Sequence, residues 1–168
     1  MILIIDDEEK LRGLLSRIIG LEGFEVVEAD TCKAGLKKIE TNHIDVILCD
    51  VKLPDGNGVD LVKEIKAQHP EIEIILMTAY GNIADGVQAI KNGAFDYITK
   101  GDDNNKIIPL LNRALEKVNL SKRINQLEKQ VEQKYSFENI LGKSKPIIAA
   151  IELAKKVAAT DTTVLLLG

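Results

Sequence analysis

The chain reads as an α/β protein: a doubly wound, five-stranded parallel sheet followed by an extended C-terminal helix. Three features of the sequence predict this. Short runs recur along the first hundred residues, at 2–5, 25–28, 46–49, 74–77 and 95–98. Each is of strand length and mostly β-branched or apolar, as in a sheet covered on both faces. Stretches of helical period separate them, and that alternation closes into a parallel sheet through right-handed crossovers.

The helices follow in order. The first shows Leu11, Leu14, Leu15, Ile18 and Ile19 after Glu8-Glu9, and acidic residues suit the positive end of a helix. The second follows Thr31, a residue type suited to an N-cap. Gly58 precedes the third, with Leu61, Val62 and Ile65 on its apolar face. Asn82 precedes the fourth, with Val87 and Ile90, and Asn92-Gly93 closes it.

The fifth helix is long, running over 104–135 with Pro109 near its start. Its apolar stripe changes phase on the way. Ile107, Ile108, Leu111, Leu115 and Val118 make one stripe, which is expected to cover the sheet. Leu120, Ile124, Leu127 and Val131 make a second on another face, at spacings of four, three and four. That is a short heptad seam flanked by charged and amide side chains, and it predicts a parallel homodimer through 120–134. After Ser136 the pattern restarts, with Gly142 and Pro146 as breakers, a helix carrying Ile147, Ile151, Leu153, Ala154 and Val157, and a buried strand over 162–167. An apolar strand with nothing after it suggests a cut chain. The expected organisation is a sheet domain over 1–119, a linker helix over 120–136 and a fragment of a further domain over 137–168.

Composition narrows the function. There is no Trp, with three Phe and three Tyr, too few aromatics for a base-stacking nucleic-acid platform. Cys32 and Cys49 are the only cysteines, which supports neither a disulfide framework nor a zinc site and suits a reducing cytosol. No apolar run has the length of a membrane span, and no signal peptide leads the chain, so a cytoplasmic protein is expected. Residues 1–103 carry 11 basic and 20 acidic side chains, a balance of −9, whereas 104–168 carry 11 and 6, a balance of +5. Two regions with different tasks are expected.

In a doubly wound sheet ligands bind beyond the carboxyl ends of the strands. Asp6 and Asp7 follow the first strand there, Asp50 ends the third, Thr78 follows the fourth and Lys100 the fifth. Three carboxylates on one edge repel unless a cation sits among them, and hard oxygen ligands suit Mg²⁺. A cation, a lysine and a hydroxyl around one carboxylate form a site for a phosphoryl group. His43 and His69 stand alone and are not expected to bind metal.

Asp6-Asp7, the run Asp50-Val51-Lys52-Leu53-Pro54-Asp55-Gly56, Thr78-Ala79 and Tyr97-Ile98-Thr99-Lys100 resemble, in order and spacing, a bacterial response-regulator receiver domain over about residues 1–120. The resemblance implies the flavodoxin-like and CheY-like receiver fold. It implies Asp50 as phosphoacceptor and a sensor histidine kinase as donor. Asp7, Asp50 and the backbone carbonyl of Lys52 would hold Mg²⁺ directly, with Asp6 acting through water. Thr78 and Lys100 would contact the phosphoryl group, and Tyr97 would reorient with Thr78. On this reading the chain is a phosphoacceptor, with at most slow self-dephosphorylation, rather than an enzyme.

The segment from Phe137 through Ser144 and the segment from Ala158 through Gly168 resemble the opening of the AAA+ ATPase of NtrC-type activators of sigma-54 RNA polymerase. That likeness implies promoter DNA and sigma-54 polymerase as partners of the whole protein. Gly168 would be the first glycine of the phosphate-binding loop, whose lysine is missing, so no ATP chemistry is expected from this chain. One departure from the receiver pattern stands out. The family usually has Pro after the lysine, often cis, whereas Gly101 follows Lys100 here, and Asp102 and Asp103 offer Lys100 other partners. A cis bond before Gly costs about 2.5–4 kcal/mol, so a trans peptide is expected.

Two other classes fit the architecture less well. A Mg²⁺-dependent phosphatase with Asp50 as nucleophile wants a second acid two residues on, where Lys52 stands. A flavin carrier wants aromatics to sandwich its ring.

Overall fold

The computed structural model describes residues 1–79, 82–101, 104–134, 144–158, 160 and 163. The chain divides into two compact units, Met1–Lys122 and Arg123–Gly168. In the first unit the elements run β1 (Ile2–Ile5), α1 (Glu9–Leu21), β2 (Val26–Ala29), α2 (Cys32–Thr41), β3 (Val46–Asp50), β4 (Lys52–Leu53), β5 (Gly56–Asn57), α3 (Gly58–Gln68), β6 (Glu73–Thr78), α4 (Ile83–Lys91) and β7 (Asp96–Thr99). Helix α5 (Asn104–Lys134) begins in this unit and ends in the second, which also holds α6 (Lys145–Val157). The expected strand over 162–167 and Gly168 lie, except for Thr163, outside the described residues.

The five long strands form one parallel sheet in the order β2-β1-β3-β6-β7. This is the doubly wound order, with its switch point beside β1 and β3. Strands β2 and β7 each start one residue later than the apolar pattern predicts. Their bounds follow pairing, Ile2 with Val26 and Ile75 with Asp96, rather than the edge of the apolar run. The β4–β5 ribbon was not legible as strand, because two-residue segments around a Pro carry no period.

Alternate strand residues face opposite sides of the sheet. Leu3, Ile5, Ile47, Cys49, Ile74 and Leu76 join Ile39, Val62, Ile65 and Ala89 of α2, α3 and α4. Ile2, Ile4, Val46, Leu48, Ile75 and Met77 join Leu15, Ile19, Ile107, Leu111 and Ala114 of α1 and α5. Each such aliphatic contributes roughly 1.5–3 kcal/mol on burial, so the aliphatic core holds the site's strands rigidly. The first stripe of α5 thus covers the sheet as expected. The second does not: Leu120, Ile124, Leu127 and Val131 are 59, 55, 44 and 56% exposed.

The helix starts follow the cap residues. Thr31 Oγ1 accepts from the Ala34 amide, Asn57 Oδ1 from Val59 and Asn82 Oδ1 from Ala84. At the amino edge of the sheet, ion pairs tie down α5. Glu73 Oε1 meets Lys117 of α5 at 2.9 Å and Lys66 of α3 at 3.5 Å. Asp45 meets Lys122 and the N-terminal ammonium, each at 2.6 Å.

Candidate functional site

Two strand ends at the carboxyl edge, those of β1 and β3, bring the acids together. Strand β1 runs into Asp6, which is fully buried. Its amide donates to the Ala29 carbonyl, extending the pairing with β2. Asp6 Oδ1 accepts from the Glu8 amide at 2.9 Å, and Arg12 donates to the Asp6 carbonyl at 2.7 Å. The strand end is therefore held from both sides, and Asp7 beside it is exposed to incoming ligand. Asp50 closes β3 and is 7% exposed. Its main chain is fixed by Gly58, whose amide donates to the Val51 carbonyl at 2.8 Å. A Cβ on residue 58 would stand 2.3 Å from the Asp50 carbonyl oxygen, so only glycine fits there. Carboxylate oxygens of Asp6, Asp7 and Asp50 all lie within 4.8 Å of one another.

Lys100 reaches the trio. Its Nζ stands 2.7 Å from Asp50 Oδ2 and 2.8 Å from Asp6 Oδ2. The first contact is a hydrogen bond. The second is an ion pair outside hydrogen-bond angles, so Asp6 Oδ2 stays buried without a donor among the described residues. Burial works to lower the Lys100 pKa, but the Asp50 hydrogen bond and the close carboxylates of Asp50 and Asp6 together outweigh it and hold the ammonium above its ordinary value. The sequence left the seat of Lys100 open, and the lysine sits on the trio; Asp102 and Asp103, the acids that offered it other partners, lie outside the described residues. Gly101 takes φ +96° just after it, a turn that only glycine makes at little cost, and no cis peptide occurs among the described residues.

Thr78 is 4% exposed at the end of β6, paired with Thr99, and its carbonyl accepts from the Lys100 amide at 2.7 Å. The hydroxyl-bearing residue and the lysine thus come from adjacent strand ends. The Lys52 amide lies 3.4 Å from Asp50 Oδ1, so the main chain after β3 wraps the carboxylate. Tyr97 is the outlier. It sits one strand further out, its hydroxyl buried without a partner among the described residues and its ring against Gly86 of α4.

The donor set fits a hard divalent cation. Three carboxylates face one lysine, and a buried oxygen lacks a donor, which leaves negative charge for a metal to neutralise. With the acids at the switch point of a doubly wound sheet, fold and site define a phosphoryl-accepting regulatory module. Residues 2–112 match the response regulator receiver domain family, and the chain belongs to it. Receiver domains bind Mg²⁺ at an acidic pocket of this kind. The chain is 32% identical over 167 residues to the regulatory protein AtoC of Escherichia coli (strain K12), across 99% of this chain and 36% of that protein. The beryllofluoride-activated NtrC4 receiver domain dimer superposes with a TM-score of 0.66 at 33% identity, over 70% of this chain and 97% of that one. The receiver domain of NtrX from Brucella abortus gives a TM-score of 0.65 at 35% identity, over 69% and 98%. The chain spans about a third of the length of the curated relatives it matches. No helix among the described residues is long and apolar enough to cross a membrane.

Two contributors were not foreseen from sequence. Arg12 carried no signal beyond a charge on an amphipathic helix. Asp55, whose pairing with Gly56 suits a turn, reaches α2 across the ribbon, and its partners are 22 and 23 residues away.

Proposed function

We propose that this chain is the receiver and linker of a sigma-54-dependent transcription activator, switched by phosphorylation of Asp50 in the cytoplasm. The observation that carries it is the meeting of Asp6, Asp7, Asp50 and Lys100 at the carboxyl edge. A sensor histidine kinase is the donor. An Asp50 carboxylate oxygen attacks the phosphorus of its phosphohistidine, the N–P bond breaks, and an acyl phosphate forms as the imidazole leaves. Asp7, Asp50 and the Lys52 carbonyl would hold Mg²⁺, with Asp6 acting through water, and the bound ion would supply neutralisation of the phosphoryl charge. Lys100, already charged and seated on Asp50, pairs with the incoming oxygens, and the Thr78 hydroxyl donates to one of them. Thr78 then draws toward the phosphate, and Tyr97, whose hydroxyl has no partner among the described residues, reorients with it against α4.

Incubation with acetyl phosphate and Mg²⁺ should add one phosphoryl group per chain, and Asp50→Asn should abolish it in intact-mass measurements. Undiminished labelling of that variant sinks the assignment.

The exposed seam supports a homodimer. Burying four aliphatics gains roughly 1.5–3 kcal/mol each, against association costs of about 4–15 kcal/mol. So short a seam is marginal alone and responds to small changes at the receiver surface. Ile124→Asp with Leu127→Asp should give a monomer that still takes phosphate at Asp50. Sedimentation showing that variant as dimeric as the parent would move the interface elsewhere. Sigma-54 polymerase and promoter DNA are partners of the whole protein on this reading.

A further inference from the structure

Residues 52–57 form a ribbon of two two-residue strands, Lys52 opposite Asn57 and Leu53 opposite Gly56. So short a hairpin is marginal by itself and must be held from outside. Its base is held at α3, where Asn57 caps the helix and Gly58 bonds Val51. Its tip is held at α2. The two carboxylate oxygens of Asp55 accept from the amides of Cys32 at 2.8 Å and Lys33 at 2.9 Å. These open the first turn of α2, where N–H groups have no partner within the helix, and Thr31 supplies only Ala34. A carboxylate fork at the positive end of a helix is favoured by charge as well as by hydrogen bonding. The amides of Lys33 and Cys32 accordingly hold the Asp55 carboxyl below its ordinary value. The tip also sits close: a Cβ on Gly56 would stand 3.0 Å from Cys32 Sγ.

No step above uses Asp55, yet the ribbon it pins begins at Lys52, whose amide borders the Asp50 carboxylate. We propose that Asp55 is a positioning residue for the divalent cation: by latching the hairpin tip to the first turn of α2, it fixes the main chain of Lys52 beside Asp50. The inference rests on the assignment of Asp7, Asp50 and the Lys52 carbonyl as the Mg²⁺ ligands. Coupling of this kind is reciprocal. If the latch tightens the ion, the ion tightens the latch by the same factor.

The test uses the full chain and Mg²⁺ alone, followed by calorimetry and by amide-resolved hydrogen exchange. Asp55→Ala should weaken Mg²⁺ binding about three- to tenfold, at or below the ~10–100-fold typical of partners behind a metal ligand. Asp55→Asn, with one acceptor left, should fall between. In the parent chain, saturating Mg²⁺ should slow exchange at the Cys32 and Lys33 amides, and in Asp55→Ala it should not. Asp30→Asn removes an acid at the same helix end without breaking the fork, and should hold affinity within about twofold, the scale of a screened exposed charge. Unchanged affinity in Asp55→Ala, a loss matched by Asp30→Asn, or exchange at Cys32 and Lys33 indifferent to Mg²⁺ would each reduce Asp55 to a helix cap. Failure of the parent chain to bind Mg²⁺, or binding untouched by Asp7→Ala, would overturn the metal site itself and the latch's role with it.

Discussion

The two edges of the sheet use the same residue types to opposite ends. At the carboxyl edge three carboxylates, Asp6, Asp7 and Asp50, meet one ammonium, Lys100. At the amino edge Glu73 meets Lys66 and Lys117, and Asp45 meets Lys122 and the N-terminal ammonium. Each carboxylate there has two cations; Glu73 Oε2, like Asp6 Oδ2, is buried without a partner among the described residues, but its charge is already balanced by lysines. A surplus of negative charge in a packed site is a cost that only a ligand removes; the surplus positive charge on the exposed side chains of Lys117 and Lys122 relaxes into solvent. The sign of the imbalance, rather than the presence of buried acids, separates the site from the scaffold.

That contrast can be broken experimentally. The largest effect is expected at Asp7. Because Asp7 is proposed as a direct ligand, Asp7→Ala should weaken Mg²⁺ by more than the ~10-fold seen when partners behind a ligand are lost, and by more than Asp6→Ala. The same variant should be more stable than the parent without Mg²⁺, because one repelling charge is gone. A gain of about 1 kcal/mol corresponds to roughly 3–5 °C in Tm for a domain of this size. Equal Mg²⁺ affinity in Asp7→Ala and parent, or a lower metal-free Tm, would erase the distinction between the edges.

Glu73→Ala should behave the other way. Its side chain is 6% exposed, and burial pushes the Lys66 pKa down while Glu73 works against that push. Removing the acid leaves that partly buried ammonium without its carboxylate, with the Pro70 carbonyl as its remaining acceptor, at a cost of roughly 1–3 kcal/mol. Urea unfolding should show that loss with Mg²⁺ affinity unchanged. A variant that loses metal but not stability would reverse the roles given to the edges.

The smallest effect concerns acid. Burial works to raise the Asp45 carboxyl, but Lys122 and the N-terminal ammonium outweigh it, and the group sits below its ordinary value. A group lowered in the folded state contributes stability that is complete above the unfolded pKa of about 3.9 and fades as pH falls through the lower folded value. Asp45→Asn should therefore lower Tm at pH 7 and converge on the parent in strong acid, within the ~0.2–1 kcal/mol of partly exposed pairs. A gap that widens on acidification would contradict the ion pairs.

Much of this was legible in the residues. The apolar runs located the sheet because strands buried on both faces must be apolar throughout, and the caps Thr31 and Asn82 mark helix starts by a local mechanism, whereas α3 starts at Gly58 itself, capped by Asn57, which the sequence reading passed over. The change of phase in α5 located the exposed face, since one helix turns only one stripe to a sheet. What escaped was tertiary. Glu73 at a strand start reads as a solvated charge until the lysines of α3 and α5 close over it. Asp55 reads as a turn until α2 is folded beside it. The seat of Lys100 depends on a loop with Gly101 where the family usually has Pro, and no periodicity reports where such a loop aims a side chain.

Gly58 carries one more consequence. With no room for a methyl group between α3 and the carbonyl of Asp50, the strand end and the helix start are in hard contact. One residue further on, the Val59 carbonyl accepts from Asn92 at the end of α4, at 2.8 Å. A linkage without play passes on small displacements that a looser joint would swallow. A shift in the main chain at residue 50 is therefore expected to carry to α3 and, through the Asn92–Val59 hydrogen bond and the packing beside it, to the far end of α4.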